Sequence, residues 1–447
     1  MDKIKEPAVA DMFYSGNAGE LRCQIKGFAQ NNSNTYKYRT RAVIVPHAGL
    51  VYSGKLAYEG ISQLDGNIKN LFIFAPAHRI PFEGTALSGF DEWSTPLGNI
   101  PVNQDINKDL EENFGAKIFD EAHREEHSIE IELPVIQSLF SDVKIIPVLY
   151  CGETPQKIAD IISKYYERPD CGFIISSDLS HYLKDGDAVK TDSETASIIE
   201  SGAVNLFKQG QACGVIGICG LTQFANSRNY SLIRINMLNS SAASGDKSRV
   251  VGYGAWFLYE GSKNQFIKEY YSEFLLKLCR DVIMSRFDNS RLYISHPSVL
   301  NETGACFVTL KKQGQLRGCI GSIIAHQPLI NDLVQNSQSA AFRDPRFNPV
   351  EKSEMDEITM DISLLSEPKP MSFKDEADLL AQMIPYKDGI IIRDNNCQAV
   401  YLPSVWEELP DKEIFLKSLK IKAGLKPEHF SPTFEAYRFE TEYIEQN

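Results

Sequence analysis

The sequence predicts an α/β unit with a mostly parallel sheet, followed by an α+β unit. Three observations carry this expectation. In the first half, short apolar runs alternate with amphipathic stretches. In the second half, alternating runs flank short polar turns. Between them lies Glu260-Gly-Ser-Lys-Asn264, a polar, turn-prone segment. The units are expected to be 1–262 and 263–447.

In chain order, Arg41–Pro46, Leu71–Ala75, Val143–Leu149 and Gly172–Ser177 read as buried strands, apolar without alternation. Ser128–Phe140 and Thr154–Tyr166 read as helices between them, and strands that alternate with helices build a mostly parallel layer. Val250–Tyr259 reads as a closing strand. Beyond the linker, Phe266–Met284 has helical spacing. Ala305–Leu310 and Leu316–Ile320 flank a Lys-Lys-Gln-Gly-Gln turn. Gln327–Phe342 reads as a helix, and Ile358–Leu365 alternates as a half-buried strand does.

Of the 447 residues, 43% are hydrophobic and 23% charged, enough to bury a large core. The net charge of −13 disfavours a nucleic-acid partner, since both halves are acidic. Nine cysteines with no Cys-x-x-Cys pair point to a reduced chain without a disulfide framework or zinc knuckle. The N-terminal segment lacks a signal-peptide pattern, and no apolar run has the ~20 residues that span a bilayer. A cytoplasmic protein without a membrane partner is expected.

Histidine placement is the strongest chemical signal. His47 follows the first strand, His78 the second, and His181 follows the strand that ends at Ser177. Ligands of open α/β sheets bind at the carboxyl ends of strands, so three imidazoles at such ends favour a shared site over three separate structural roles. Imidazole is the commonest protein ligand for zinc, iron and copper. A further ligand would come from elsewhere in the chain; Asp178, Asp246, Cys213 and Cys219 are candidates. His123 and His127 stand at the entrance to the helix expected from Ser128. Ser176-Ser177-Asp178 lacks the Gly-x-Ser-x-Gly of a hydrolase elbow and reads as a helix cap. The glycines at 214–217 and 252–254 do not form phosphate loops.

In the second half, Leu316-Arg-Gly-Cys-Ile-Gly321 places Arg317 near Cys319. A neighbouring guanidinium favours a thiolate, but a tight turn around a small buried cysteine is the better default. Arg343, Asp344 and Arg346 read as a structural ion-paired cap rather than an anion site.

Longer blocks carry a family likeness. Glu6-Pro-Ala-Val-Ala-Asp-Met-Phe-Tyr14, Val45-Pro-His-Ala-Gly-Leu-Val-Tyr-Ser-Gly54, Ala75-Pro-Ala-His78 and Thr95-Pro-Leu-Gly98 come first. Glu126-His-Ser-Ile-Glu-Ile-Glu-Leu-Pro134, Ser176-Ser-Asp-Leu-Ser-His-Tyr182 and Val251-Gly-Tyr-Gly-Ala255 follow in order. Through these blocks residues 1–260 resemble the Memo family, the B component of the AmmeMemoRadiSam system. Residues 265–447 resemble the AMMECR1 family, the A component, through Ala305–Lys312, Leu316–Ser322, Ala340–Phe347, Lys387–Ile392, Tyr401–Trp406 and Lys422–Leu425. The chain looks like a fusion of the two. No Cys-x3-Cys-x2-Cys occurs, so the system's radical-SAM component is expected as a separate partner.

The Memo fold is similar to class III extradiol dioxygenases, which hold Fe(II) with two histidines and a carboxylate. The resemblance implies metal ligands His47, His78 and Asp246, an acid/base His181 oriented by Asp178, and His127 in the pocket. It implies Fe(II), with copper and zinc as alternatives, and an oxidoreductase acting on a small molecule or peptide. Two other readings stay open: a non-catalytic peptide- or protein-binding module, and a zinc-dependent hydrolase. The AMMECR1-like half carries Arg317 and Cys319 as further candidates.

Overall fold

Runs that are apolar at every position fold as strands covered on both faces. In the computed structural model, which describes residues 3–30, 38–290 and 292–446, four such strands lie side by side and parallel. Their order is Ala42–Val45, Cys171–Ser176, Asn70–Pro76 and Lys144–Cys151. Phe72, Phe74, Phe173 and Ile175 on these strands share one core with Ile158 and Ile162 of helix Pro155–Tyr166 and with Ile218 and Phe224 of helix Val215–Arg228. Each such buried side chain contributes about 1.5–3 kcal/mol.

The chain divides into two units, Met1–Lys263 and Asn264–Asn447. The main sheet of the first is mixed rather than mostly parallel. Val250–Tyr259 runs antiparallel to Ala42–Val45, to His181–Leu183 and to Ser231–Asn239, and Gly84–Leu87 runs antiparallel to Lys144–Cys151. For the pairing with Ser231–Asn239 the reason is connection length. About ten residues, 240–249, separate that strand from Val250–Tyr259, and a parallel crossover needs a dozen residues or more.

The helix expected over Ser128–Phe140 is shorter. A 3₁₀ turn, Glu130–Glu132, leads into helix Leu133–Leu139, with Pro134 in its first turn. Glutamates 126, 130 and 132 are all buried, and each has a different task. Glu130 takes Lys5 Nζ at 2.7 Å, the amides of Ala8 and Val9 at 2.8 and 2.9 Å, and the Tyr14 hydroxyl at 2.8 Å. This pins the N-terminal segment across the unit. Lys5, itself buried, also lies 4.6 Å from the Trp93 ring centroid.

His123 is fully buried, its Nε2 3.2 Å from the Ala86 carbonyl and its ring edge-on to Trp93. Burial pulls its pKa down from 6.5 to about 4. Below pH 6.5 the unfolded chain therefore takes up a proton that the native state refuses, so stability falls with pH. On the order of 3 kcal/mol is lost by pH 4 from this residue alone. Urea unfolding between pH 7 and pH 4 should show this decline, and His123→Gln should flatten it.

The second unit opens one residue into helix Lys263–Asp288, which is longer than expected at both ends. One sheet runs Gln315–Gly321, Thr303–Lys312, Ile358–Leu365, Thr441–Glu445, with helix Leu329–Phe342 against it. The other runs Lys369–Pro370, Glu435–Phe439, Gly389–Asp394, Cys397–Tyr401. The expected hairpin forms, turning at Gln313 and Gly314 with φ of 52° and 77°, the signs a two-residue turn needs to match strand twist. No described helix is long and apolar enough to cross a membrane.

Candidate metal centre

Strand Ala42–Val45 delivers His47 to its carboxyl end, and strand Asn70–Pro76 delivers His78. A third imidazole, His127, arrives on the loop before the 3₁₀ turn. The Ser128 hydroxyl ties that loop to the strand end by donating to the Pro76 carbonyl at 3.0 Å. The rings converge, with centroids 5.2 Å apart for His47–His78, 5.5 Å for His47–His127 and 4.8 Å for His78–His127. One nitrogen from each lies within 4.8 Å of the others, the one such group of three among the described residues.

Glu126 organises two of the three. Its carboxylate accepts the His78 amide at 2.5 Å, His78 Nδ1 at 3.1 Å, and the amides of His127 and Ser128 at 3.0 and 3.1 Å. Burial works to raise its pKa, but the His127 and His78 groups beside it hold it well below the usual carboxylate range. An ionised carboxylate can only accept, so His78 Nδ1 donates to it. His127 Nδ1 lies 3.0 Å from the same carboxylate. Phe13, on the segment that Glu130 pins, packs on the His127 ring at 4.9 Å.

His47 is buried, with its amide donating to Asp178 Oδ1 at 2.8 Å and its Nδ1 2.8 Å from Ser176 Oγ. Burial, then the nearby imidazoles, hold its pKa well below 6.5. Cys213 Sγ stands 3.3 Å from its Nε2. Gly214 makes this approach feasible, because a Cβ there would fall 2.5 Å from the Ser177 Cβ.

The structure places the remaining candidates as follows. Asp246 lies outside the histidine group and takes no part in it: helix Ser241–Ser244 ends at Gly245 with φ 74°, leaving Asp246 exposed, where its carboxylate accepts the Ser248 amide at 2.8 Å. The third member of the histidine group is His127. Asp178 does not orient His181. It holds the His47 and Ala48 amides, and burial raises its pKa to about 7. His181, half-buried, opens strand His181–Leu183, and its ring hydrogen-bonds to the Leu179 carbonyl; burial lowers its pKa. Ser176 and Ser177 cap no helix, since a loop and that short strand follow them. Cys219 is buried in helix Val215–Arg228.

In the second unit, Arg317 does not reach Cys319. Its guanidinium grips Glu354 at 2.9 and 3.1 Å and the Asn348 carbonyl at 3.0 Å. Cys319 lies in a strand opposite Thr309, whose hydroxyl is 3.2 Å from Sγ. Arg346 pairs with Asp344 at 2.7 Å, and Asp344 accepts the Cys319 amide at 2.8 Å. These contacts are those of a structural hairpin.

Sequence reasoning gave no role to Glu126 or to the Ser176–His47 contact. The one available signal was a glutamate adjoining His127 in a segment otherwise headed for the core.

Comparison with known proteins agrees with the block pattern. A model of Memo-like proteins matches residues 5–257 and a model of AMMECR1 matches residues 276–444. A MEMO1 family protein of Thermoplasma volcanium is 31% identical over 265 residues, covering 56% of this chain and 97% of the relative. One from Thermotoga petrophila is 30% identical over 281 residues, 57% of this chain and 99% of the relative. A protein of Methanothermobacter thermautotrophicus is 36% identical over 178 residues, 39% of this chain and 93% of the relative. A solved structure of an uncharacterised protein from Pyrococcus horikoshii is 29% identical, with a TM-score of 0.36 over 38% of this chain and 89% of its own. The chain therefore belongs to the Memo-like protein family and carries an AMMECR1 domain behind its Memo-like domain.

Proposed function

We propose that the Memo-like domain is a metal-dependent oxidoreductase whose ion is held by His47, His78 and His127. The observation that supports it is the convergence of three imidazole nitrogens within 4.8 Å, with Glu126 backing His78 and His127. The donor set fits a transition metal: three imidazoles, each able to offer one nitrogen to a common ion, two of them beside a buried carboxylate. Iron remains the first choice through the likeness to class III extradiol dioxygenases, with copper or zinc as alternatives. Once bound, the metal would polarise a chelating substrate in an open position. His181 is half-buried with its pKa lowered, so at neutral pH it is a free base able to take a proton from a bound substrate. Asp178 fixes the His47–Ala48 loop and so the direction of His47.

One observation favours a second reading. The three-histidine set contains no carboxylate, which departs from the dioxygenase pattern and matches catalytic zinc sites as well. A zinc-dependent hydrolase is the reading this supports. The substrate, a small molecule or peptide, would be shared with the AMMECR1 domain, and a radical-SAM protein is the proposed partner.

Metal analysis of protein purified without oxygen and reconstituted with Fe(II) or zinc tests this. One ion per chain is expected, lost in His47→Ala and in His78→Ala. No bound ion after reconstitution would leave a peptide-binding module as the better account.

A further inference from the structure

His181 stands in a strained stretch of chain. Tyr182, which follows it, has a φ of 60°, a left-handed value that a bulky residue holds only where its surroundings enforce it. The register of strand His181–Leu183 against Val250–Tyr259 shifts at the same point. Two backbone bonds tie the preceding residues to Val250–Tyr259: the Leu179 amide donates to the Gly252 carbonyl, and the Gly252 amide to the Ser180 carbonyl, both at 2.8 Å. The Ser180 amide donates to a side chain, Asp192 Oδ1, at 3.0 Å. Asp192 belongs to helix Asp185–Ser201 and is buried. Burial raises its pKa, and no basic side chain among the described residues pairs with it. A carboxyl group buried on those terms costs free energy. Strand Val250–Tyr259 nevertheless makes room for it, since a Cβ on Gly252 would fall 2.0 Å from Asp192 Oδ2.

The bond to Asp192 reaches His181 through one peptide unit. The Leu179 carbonyl and the Ser180 amide belong to the same planar trans group, so they point in opposite directions. Asp192 holds the amide side. The carbonyl side takes the hydrogen bond of the His181 ring. An acceptor on the N–H fixes the plane of the group and polarises its carbonyl. We infer that Asp192 is the positioning residue of His181, aiming its ring through the Leu179–Ser180 peptide, and that Gly252 admits the carboxyl group to that place. The orientation stands on these contacts; its use rests on the metal-dependent reading above, in which His181 takes the proton. The task calls for an oxygen acceptor, not for a charge. Asparagine at 192 therefore serves, and alanine does not.

Proton–carbon correlation spectra of full-length protein labelled with ¹³C-histidine, recorded with and without zinc, test the inference. The His181 ring signals are assigned by their absence from His181→Gln. In Asp192→Asn they should stay in place. In Asp192→Ala they should shift and broaden, while the ring signals of His47, His78 and His127 and the zinc bound per chain hold at wild-type values. Gly252→Ala should move the His181 signals in the same way with Asp192 still present. A folded Asp192→Ala with wild-type His181 signals overturns the inference, as does one in which all four histidines move alike. So does an Asp192→Asn that behaves as the alanine variant does. If the two alanine variants do not fold, ring relaxation in the wild type decides. A His181 ring held in one orientation supports the inference, and a ring that averages over several overturns it. The expected His181 pattern in a chain that binds no zinc supports the positioning and overturns the metal reading.

Discussion

Replacing Glu126 with glutamine should lower zinc affinity about 10–100-fold, the usual cost of losing a carboxylate behind a ligating imidazole. The carboxylate accepts from four N–H groups: the His78 amide, His78 Nδ1, and the amides of His127 and Ser128. Glutamine offers one oxygen and points its own amide protons at the rest. Each buried donor left unmatched costs about 1–3 kcal/mol, so the fold weakens as well. The pH profile carries a signature. The pKa of Glu126 is held well below its ordinary 4.5, so the stability it contributes is present above that value and lost as pH falls below it. Glu126→Gln should lose less on acidification than the wild type. Calorimetric zinc titration and urea unfolding at pH 7 and pH 3.5 check both arms.

Glu130→Ala should destabilise the Memo-like domain by about 3–5 kcal/mol, because Lys5 would remain buried with its charge uncompensated. The Ala8 and Val9 amides and the Tyr14 hydroxyl would lose their acceptor in the same step. Glu130→Ala paired with Lys5→Met should recover the part due to the stranded charge and no more. The effect reaches the candidate site, because the freed segment carries Phe13, which packs on His127. Urea unfolding gives the energy, and accelerated trypsin cleavage before Tyr14 would report the release of the segment.

His47 and His78 were legible in the sequence because each directly follows an apolar run, and strand ends are where open sheets present ligands. His127 was visible only as a pocket residue. It reaches the cluster from a loop, and nothing in its spacing says that Glu126 turns it inward. Asp246 went the other way. Its place was inferred by alignment across a loop, and the αL turn at Gly245 carries it to the surface. The four central strands were read correctly, but their antiparallel neighbours were not. Periodicity reports burial, not direction, and the direction of Val250–Tyr259 follows from the short connection before it. The glutamates of Glu126-His-Ser-Ile-Glu-Ile-Glu132 have a helical-surface look in sequence, yet all three are buried. Their partners, His78, Lys5 and Ser176, lie 48, 125 and 44 residues away, beyond any local pattern.

The central proposal is that His127, not Asp246, is the third ligand of a bound metal. Bound zinc per chain, measured side by side for His127→Ala and Asp246→Ala after identical reconstitution, tests it most directly. The account predicts that His127→Ala loses the ion or holds it at least ~10-fold more weakly, while Asp246→Ala binds as the wild type does. Retention by His127→Ala with loss in Asp246→Ala would contradict it.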